Sequence, residues 1–388
     1  MKYTVFLTQR CNMSCRYCYG GDGGTDIDDE TAFRAVDLAF ELVPDGESLD
    51  FGFFGGEPIL RFDLIRKVTA RVRKKERECG VKTVLSLTSN GTIMNADILR
   101  FLKNEGVGYC VSLDGPPEVH DRYRVFGTGG GSFRSVVGNL SRAIQELPSV
   151  SINAVFGPET LASLATTADY LLSFGVPVYL NWDIVTPWSQ ESLSRAEEIF
   201  QQVGEIYVDY VKAGSAVTLH PIEDKVILFL AGGYSDGDKC RIGEGEWAVA
   251  VNGDVYPCER LVGNAEASDL IMGNVETGVD EAKRRAVIEN RGNRNDECTA
   301  CSFKDFCVNW CGCTNWFMTG RTNYAGPVSC RLERATIKAA KVVFEELKRD
   351  PTFHEYLAKV FAPGCSECNK EASHGWKHQR NGRRNHRR

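Results

Sequence analysis

Thr8-Gln9-Arg10-Cys11-Asn12-Met13-Ser14-Cys15-Arg16-Tyr17-Cys18-Tyr19-Gly20 follows a short apolar run from Tyr3 to Leu7, and its three cysteines have the spacing CxxxCxxC. Three thiolates packed this closely can wrap one cuboidal iron-sulfur cluster, but they leave one of its four irons without a protein ligand. A four-cysteine cluster is saturated and suits electron transfer or structure. An open iron can hold a substrate while the cluster passes it an electron. A zinc knuckle or a set of buried thiols is the weaker reading, because zinc sites usually pair CxxC with a second CxxC or two histidines. The first histidine of the chain is His120.

At 388 residues the chain is long enough for two or three domains, and 43% hydrophobic with 25% charged residues is ordinary globular usage, so it can bury large cores. The net charge of -6 is unevenly placed. Pro363 to Arg388 hold seven Lys or Arg against two Glu, which leaves the body before them acidic and speaks against general nucleic-acid binding. Fifteen cysteines would read as disulfides in a small secreted protein. Here no signal-peptide core follows Met1, and no apolar run approaches the roughly 18 residues that span a bilayer. The cysteines fall into groups with ligand spacing, which in a cytoplasmic protein reads as metal.

From residue 1 to about 220, β-branched or aromatic runs alternate with amphipathic ones. Strands are expected near 3–8, 49–54, 83–88, 109–113, 151–156 and 178–184. Asp28 should cap a helix over 29–42 with Asp29 and Glu30 in its first turn, and Asn95 and Gly106 should bound another over 96–105. Six β-α repeats argue for a parallel sheet, with chemistry gathered at the C-terminal strand ends. Gly55-Gly56-Glu57-Pro58 follows the second run, where paired glycines let backbone approach a ligand. Ser89-Asn90-Gly91 follows the third, and Ser112-Leu113-Asp114-Gly115 the fourth. The run Gly127-Thr128-Gly129-Gly130-Gly131 lacks the Lys-Ser of a phosphate loop. Cys79 and Cys110 read as buried thiols, and His220 as a capping or surface residue.

Taken in order, these motifs resemble those of radical S-adenosylmethionine (SAM) enzymes, including the aromatic Tyr17 before the last cysteine. The resemblance implies a partial (β/α)6 barrel. It also implies that SAM is chelated by the open iron of the Cys11, Cys15, Cys18 cluster. The backbone of Gly55 and Gly56 and the carboxylate of Glu57 would hold the SAM amino group. Asn90, Ser112 and Asp114 would line its ribose and methionine, and Arg124 would meet its carboxylate.

Past Gly232 turn residues replace periodicity and cysteines return. Cys240-x12-Gly253-x4-Cys258 precedes Cys298-x2-Cys301-x5-Cys307-x3-Cys311, and Cys330 comes last. The stretch 247–258 reads as a hairpin turned at Asn252-Gly253, which would bring Cys240 and Cys258 to one end. A zinc ribbon is the alternative metal site. The seven-cysteine order is similar to that of the SPASM domain of peptide- and protein-modifying radical SAM enzymes. That resemblance implies two auxiliary 4Fe-4S clusters, and three in all. The first would be held by Cys240, Cys258 and Cys311, and the second by Cys298, Cys301, Cys307 and Cys330. The first then lacks a ligand. Either Cys313 supplies it, with Gly312 bending the chain tightly, or the iron is open to a substrate thiol, with Cys365 and Cys368 as a third option. Residues 1–232 are expected to form the barrel, 233–335 the auxiliary-cluster domain and 336–362 C-terminal helices over 332–347 and 353–361. The basic segment 363–388 is expected to be disordered.

The family resemblance implies that a reduced cluster cleaves SAM to a 5′-deoxyadenosyl radical, which abstracts a substrate hydrogen. Sulfur-to-carbon crosslinking of a Cys-containing precursor peptide is the preferred outcome, and formylglycine formation from Cys or Ser in a sulfatase is the alternative. In sulfatase-maturing relatives an Asp after the hairpin cysteine is the proposed general base. Glu259 stands there, with pairing to Arg260 as its bland alternative. The chain starts at the first strand, so leader recognition would fall to the tail or to a separate protein. A flavodoxin or ferredoxin would supply electrons in a reducing cytoplasm.

Overall fold

Six parallel strands separated by helices carry the N-terminal half of the computed structural model, which describes residues 1–20, 23–351, 353–354 and 356–357. They are β1 (Lys2–Phe6), β2 (Leu49–Phe54), β3 (Thr83–Ser89), β4 (Val107–Ser112), β5 (Val150–Phe156) and β6 (Val178–Trp182). A two-residue β7 (Leu219–His220) continues the parallel order beside β6. Helix boundaries follow the expected chemistry. Asp28 accepts from Thr31 N at 2.8 Å. Asn95 caps the helix Ala96–Glu105, and Gly106 closes it in the left-handed region at φ 63°.

The sheet does not end at β1. The hairpin β8 (Glu246–Val249) and β9 (Asp254–Tyr256) lies against it, with Lys2 opposite Glu246 and Val5 opposite Val249 in parallel register. The short strands β10 (Gly273–Asn274) and β11 (Gly278–Val279) follow outward. The cysteine-rich segment is therefore covalently distant from the barrel but hydrogen-bonded to its first strand. Gly253 alone has positive φ in the hairpin turn, at 85°, where a side chain would also meet Val275.

Burial alternates along β2 and β5 and over most of β3 and β4, while β1 is buried at four of its five positions. Phe51, Phe53, Leu85, Leu87, Tyr109, Val111, Ile152 and Ala154 are fully or almost fully buried under the helices. At about 1.5–3 kcal/mol for each large apolar side chain, this face supplies the main cohesion of the sheet. The other face carries Thr4, Gly52, Ser86, Thr88, Cys110, Ser151, Asn153, Tyr179 and Asn181, and most of it is only partly buried. A parallel sheet covered on both sides reads as a continuous apolar run. This one keeps a polar inner face that water reaches.

The C-terminal helix Pro327–Leu347 starts earlier than its apolar periodicity predicts, with Pro327 in its first turn after Gly326. It packs on the helices Ala196–Lys212 and Ile222–Ala231. Among the described residues no helix is long and apolar enough to cross a membrane. Most of the expected second C-terminal helix, and residues 363–388 with Cys365 and Cys368, lie outside the described residues.

Candidate active site

The cysteine loop is clamped at the C-terminal ends of β1, β2 and β3. Gly56 N donates to Thr8 O at 2.8 Å, and Glu57 N donates to Arg10 O at 2.9 Å. A Cβ on Gly56 would stand 2.3 Å from Arg10 O, and one on Gly55, at φ 134°, would stand 2.4 Å from Thr8 O. The paired glycines are thus needed for approach to the cysteine loop itself, a constraint that reading them as a ligand cradle did not foresee. Glu57 is fully buried. It accepts from Ile59 N at 3.0 Å, Ser89 Oγ at 3.0 Å and Asn90 N at 2.7 Å. Burial pushes its carboxyl up to about 7, against the pull of those hydrogen bonds. Asn90 reaches back, its amide 2.8 Å from Asn12 Oδ1 and 3.7 Å from Cys11 Sγ.

Behind Cys15 lies a buried ionic group. Arg124 Nε donates to Asp114 Oδ2 at 3.0 Å, Tyr17 Oη donates to the same oxygen, and Val155 N donates to Oδ1 at 3.0 Å. The Arg124 guanidinium also stacks over the Tyr17 ring at 5.2 Å and reaches Cys15 Sγ at 4.0 Å. His120 holds the turn from below. Its Nδ1 accepts from Asp114 N at 3.2 Å, and its Nε2 pairs with Ser132 Oγ, which donates to Arg124 O. Burial drives the imidazole down to about 4, so it is neutral at pH 7 with the proton on Nε2. Ser112 ends β4 on the inner face, opposite Asn153.

Burial raises the Cys11 thiol, and raises Cys15 to about 11, while the Asn90 amide at Cys11 and the Arg124 charge at Cys15 pull the other way. Cys11 and Cys18 are exposed and Cys15 is half-buried. Each thiol lies in the electrostatic field of its neighbours, which suits three thiolates turned toward one shared group.

Eight further described cysteines, Cys79 and Cys110 apart, fall into two sets. Cys311 and Cys313 have their sulfurs 3.6 Å apart, Cys313 and Cys258 influence each other's ionisation, and Cys240 lies in the field of Cys311 and Cys313. Four thiols from three segments therefore converge, Cys258 and Cys313 among the most buried. Gly312 does not bend the chain, contrary to expectation. It opens the regular helix Gly312–Thr319, and a side chain there would strike Ile242 Cδ1 at 2.7 Å. In the second set Cys330 lies in the field of Cys298 and Cys301, and Cys307 in that of Cys330. Among the described residues no three Cys, His, Asp or Glu side chains are grouped as a single metal ion needs. The 3.6 Å between the Cys311 and Cys313 sulfurs is near the roughly 3.8 Å of thiolates on one zinc, so seating a cuboidal cluster there requires those two sulfurs to move apart.

Glu259 is not paired with Arg260. Its carboxylate takes Lys2 Nζ at 3.1 Å and Thr4 Oγ1 at 3.0 Å, both from β1. Burial would raise this carboxyl, but Lys2, Thr4 and Arg260 outweigh it and hold it below its ordinary value. Arg260 instead donates to Asn181 Oδ1 at 3.2 Å on the inner face and to Thr314 Oγ1 at 3.3 Å beside Cys311. Lys2, Thr4, Asn181 and Thr314 escaped the sequence reading, and Arg260 entered it only as a partner for Glu259. The period-two alternation of polar residues in the barrel strands was the signal that could have found Thr4 and Asn181. Cys79 is exposed at a helix end rather than buried, and Cys110 is half-buried on the inner face. His220 stacks on Tyr179 at 4.4 Å and pairs with Asp224 at 2.7 Å. A cavity of about 840 Å³ beside Lys338 and Val342 lies apart from all these groups.

Comparison with known proteins agrees with this architecture. Residues 5–171 match the radical SAM superfamily, and residues 240–302 match the SPASM iron-sulfur cluster-binding domain. The chain is a radical SAM enzyme with a SPASM domain, and its cofactors are SAM and iron-sulfur clusters. It is 22% identical over 330 residues to a cysteine-type anaerobic sulfatase-maturating enzyme of Clostridium novyi, covering 78% of this chain and 85% of that one. Other curated relatives match over shorter spans, down to 35% of their length. In structure it is similar to anSMEcpe with bound SAM and the Cp18Cys peptide, with TM-score 0.76 and 18% identity, covering 89% of this chain and 98% of the other. SuiB of Streptococcus suis bound to the precursor peptide SuiA shares the fold at TM-score 0.59 and 13% identity, over 84% of this chain and 75% of that one.

Proposed function

We propose that this enzyme oxidises a residue of a peptide or protein bound against the inner face of the sheet, and that its first auxiliary cluster takes an electron rather than the substrate. The convergence of Cys240, Cys258, Cys311 and Cys313 carries this reading. Four thiolates satisfy all four irons of a cuboidal cluster and leave none for a substrate thiol. Crosslinking of a cluster-held cysteine therefore loses the support it had from sequence. Formation of formylglycine from Cys or Ser in a sulfatase becomes the better reading, in keeping with the relative from Clostridium novyi that is matched over most of both chains. Sulfur-to-carbon crosslinking without a cluster-held thiol is the second reading. It is favoured by Glu259, whose lowered pKa and commitment to Lys2 and Thr4 make it a weak general base.

In this assignment Cys11, Cys15 and Cys18 hold the cluster that meets SAM, and Cys298, Cys301, Cys307 and Cys330 hold a second auxiliary cluster, three in all. When bound, the first cluster and SAM supply an electron and a hydrogen-abstracting radical. The chain's own residues fix where that happens. Asn90 and Arg124 favour the thiolate forms of Cys11 and Cys15 against burial. Gly55, Gly56 and Glu57 set the height of the cysteine loop over β2. Tyr17, Asn90, Ser112, Asp114 and Arg124 form the wall offered to SAM, with Arg124 held rigid by Asp114 and able to present its outer N–H groups. Thr4, Ser86, Cys110, Asn153 and Asn181 supply a polar floor for a peptide backbone.

The test is anaerobic turnover with SAM and reductant on two probes, a sulfatase-derived peptide carrying Cys or Ser and a Cys-containing precursor peptide. An aldehyde trapped by a hydrazide on the first peptide is the expected result. Loss of two hydrogens and of alkylatable thiol on the second establishes the crosslinking alternative. SAM cleavage without change in either peptide overturns peptide oxidation.

A further inference from the structure

Arg260 stands between the four-thiol site and the barrel, and neither cluster ligation nor SAM binding uses it. Its Nη2 donates to Asn181 Oδ1 at 3.2 Å, and Asn181 Nδ2 in turn donates to Asn153 Oδ1 at 2.7 Å on the inner face of β5. Its Nη1 donates to Thr314 Oγ1 at 3.3 Å, and the same hydroxyl lies 3.2 Å from Cys311 Sγ. Polar contacts thus run unbroken from the inner face to a cysteine of the first auxiliary site. The hydroxyl proton of Thr314 is free to turn toward sulfur once Cys311 is a thiolate, with the guanidinium polarising the oxygen from behind.

The charges around this site make Arg260 decisive. Glu246 and Glu259 both bear on Cys258, and four thiolates add more negative charge. Lys2 on β1 offsets Glu259 through their 3.1 Å contact. Lys2 also bears on Cys240 and Cys258, but its ammonium is bound to Glu259, whereas the half-buried Arg260 guanidinium lies in the field of Cys258, Cys311 and Cys313 together. Adding an electron to a cluster held there raises its negative charge, and a fixed guanidinium favours that reduced form.

We propose that Arg260 is a positioning residue that raises the electron affinity of the first auxiliary cluster and couples it to the substrate-facing side of the barrel. The proposal rests on the assignment of the four cysteines to that cluster. The electron balance follows from the proposed oxidation. Removal of a hydrogen atom from the substrate by the SAM-derived radical leaves a substrate radical. Loss of one further electron to the auxiliary cluster and of one proton to solvent completes a two-electron oxidation.

Redox titration of the reconstituted enzyme, followed by electron paramagnetic resonance together with iron counting, tests this without substrate. Arg260→Met should keep its iron and make the first auxiliary cluster at least tenfold harder to reduce, a shift of about 59 mV for one electron. Arg260→Lys should fall between that variant and the wild type. An unchanged potential in Arg260→Met at full iron content overturns the proposal. If the Met variant loses iron, Arg260→Gln and Arg260→Lys decide, since both keep a donor and only Lys keeps the charge. Equal potentials in those two overturn it as well. Missing iron in the wild type would instead indict the four-cysteine assignment.

Discussion

The ammonium of Lys2, the second residue of the chain, meets the carboxylate of Glu259 at 3.1 Å, so the segment that follows Cys258 is tied to the floor of the barrel. Thr4 adds a second bond to the same carboxylate at 3.0 Å. The Lys2 side chain is 42% exposed, so solvent screens the pair, and its worth is no more than about 1 kcal/mol. Glu259→Gln keeps the shape and one acceptor. We expect SAM cleavage to be unchanged and product formation to fall less than tenfold, measured separately as 5′-deoxyadenosine and modified peptide. A loss beyond a hundredfold in product alone would restore the general-base role.

Two buried groups give opposite pH slopes. Glu57 titrates near 7 when folded against an ordinary 4.5, so the folded chain holds an extra proton between those values and stability falls as pH rises across that window. His120 titrates near 4 against 6.5, so the unfolded chain holds the extra proton and stability rises with pH over that range, being lost on acidification. Each is worth up to about 3 kcal/mol, and they nearly cancel. Relative to the wild type, stability against denaturant between pH 4.5 and 7 should rise more with pH in Glu57→Gln and less in His120→Gln, and parallel curves for all three proteins would refute the assignment.

Much of this was legible from sequence, for identifiable reasons. The barrel strands announce themselves because alternating residues meet helices on one side, and Asp28, Asn95 and Gly106 mark helix ends by local chemistry that needs no tertiary partner. Pro327 after Gly326 is a local signal of the same kind that apolar periodicity alone overlooked. The pairing of β8 with β1 is different, since nothing near Trp247 encodes a partner more than 240 residues away at Tyr3. The partner of Glu259 was missed for that reason, because Lys2 becomes its neighbour only once those strands lie side by side. Gly55 was read as part of a ligand cradle and Gly312 as a bend, when a side chain at each would strike a neighbour from another segment, Thr8 in one case and Ile242 in the other.

Asp114 carries the buried group behind Cys15, accepting from Arg124, Tyr17 and Val155. Removing one partner of a buried ion pair leaves the other charge uncompensated, at a cost of roughly 3–5 kcal/mol. Asp114→Asn should loosen Arg124 and Tyr17 together. SAM affinity measured by calorimetry on anaerobic protein should drop at least tenfold, while the spectra of the auxiliary clusters persist. Unaltered SAM binding in a folded variant would show that Arg124 and Tyr17 do not form the SAM wall.

The closing of the first auxiliary site turns on Cys313. Its thiol is 5% exposed, is 3.6 Å from Cys311 and bears on the ionisation of Cys258, so alanine there removes a converging sulfur and leaves a small cavity. Loaded wild-type protein should carry about twelve irons in three clusters. Cys313→Ala should lose up to about four of them, or keep a first auxiliary cluster with one exposed iron and an altered resonance. The control is Cys79→Ala, an exposed thiol with no role in this scheme. With SAM present to fill the open iron of the Cys11, Cys15 and Cys18 cluster, a Cys-containing peptide should leave the wild-type spectrum unchanged, because no auxiliary iron is vacant, and should perturb the spectrum of any first auxiliary cluster retained in Cys313→Ala, because a peptide thiolate can then take the vacated position. If the peptide instead perturbs the wild-type spectrum, and Cys313→Ala keeps its full iron with an unchanged resonance, the site is open after all. Crosslinking of a cluster-held thiol then regains first place over formylglycine formation.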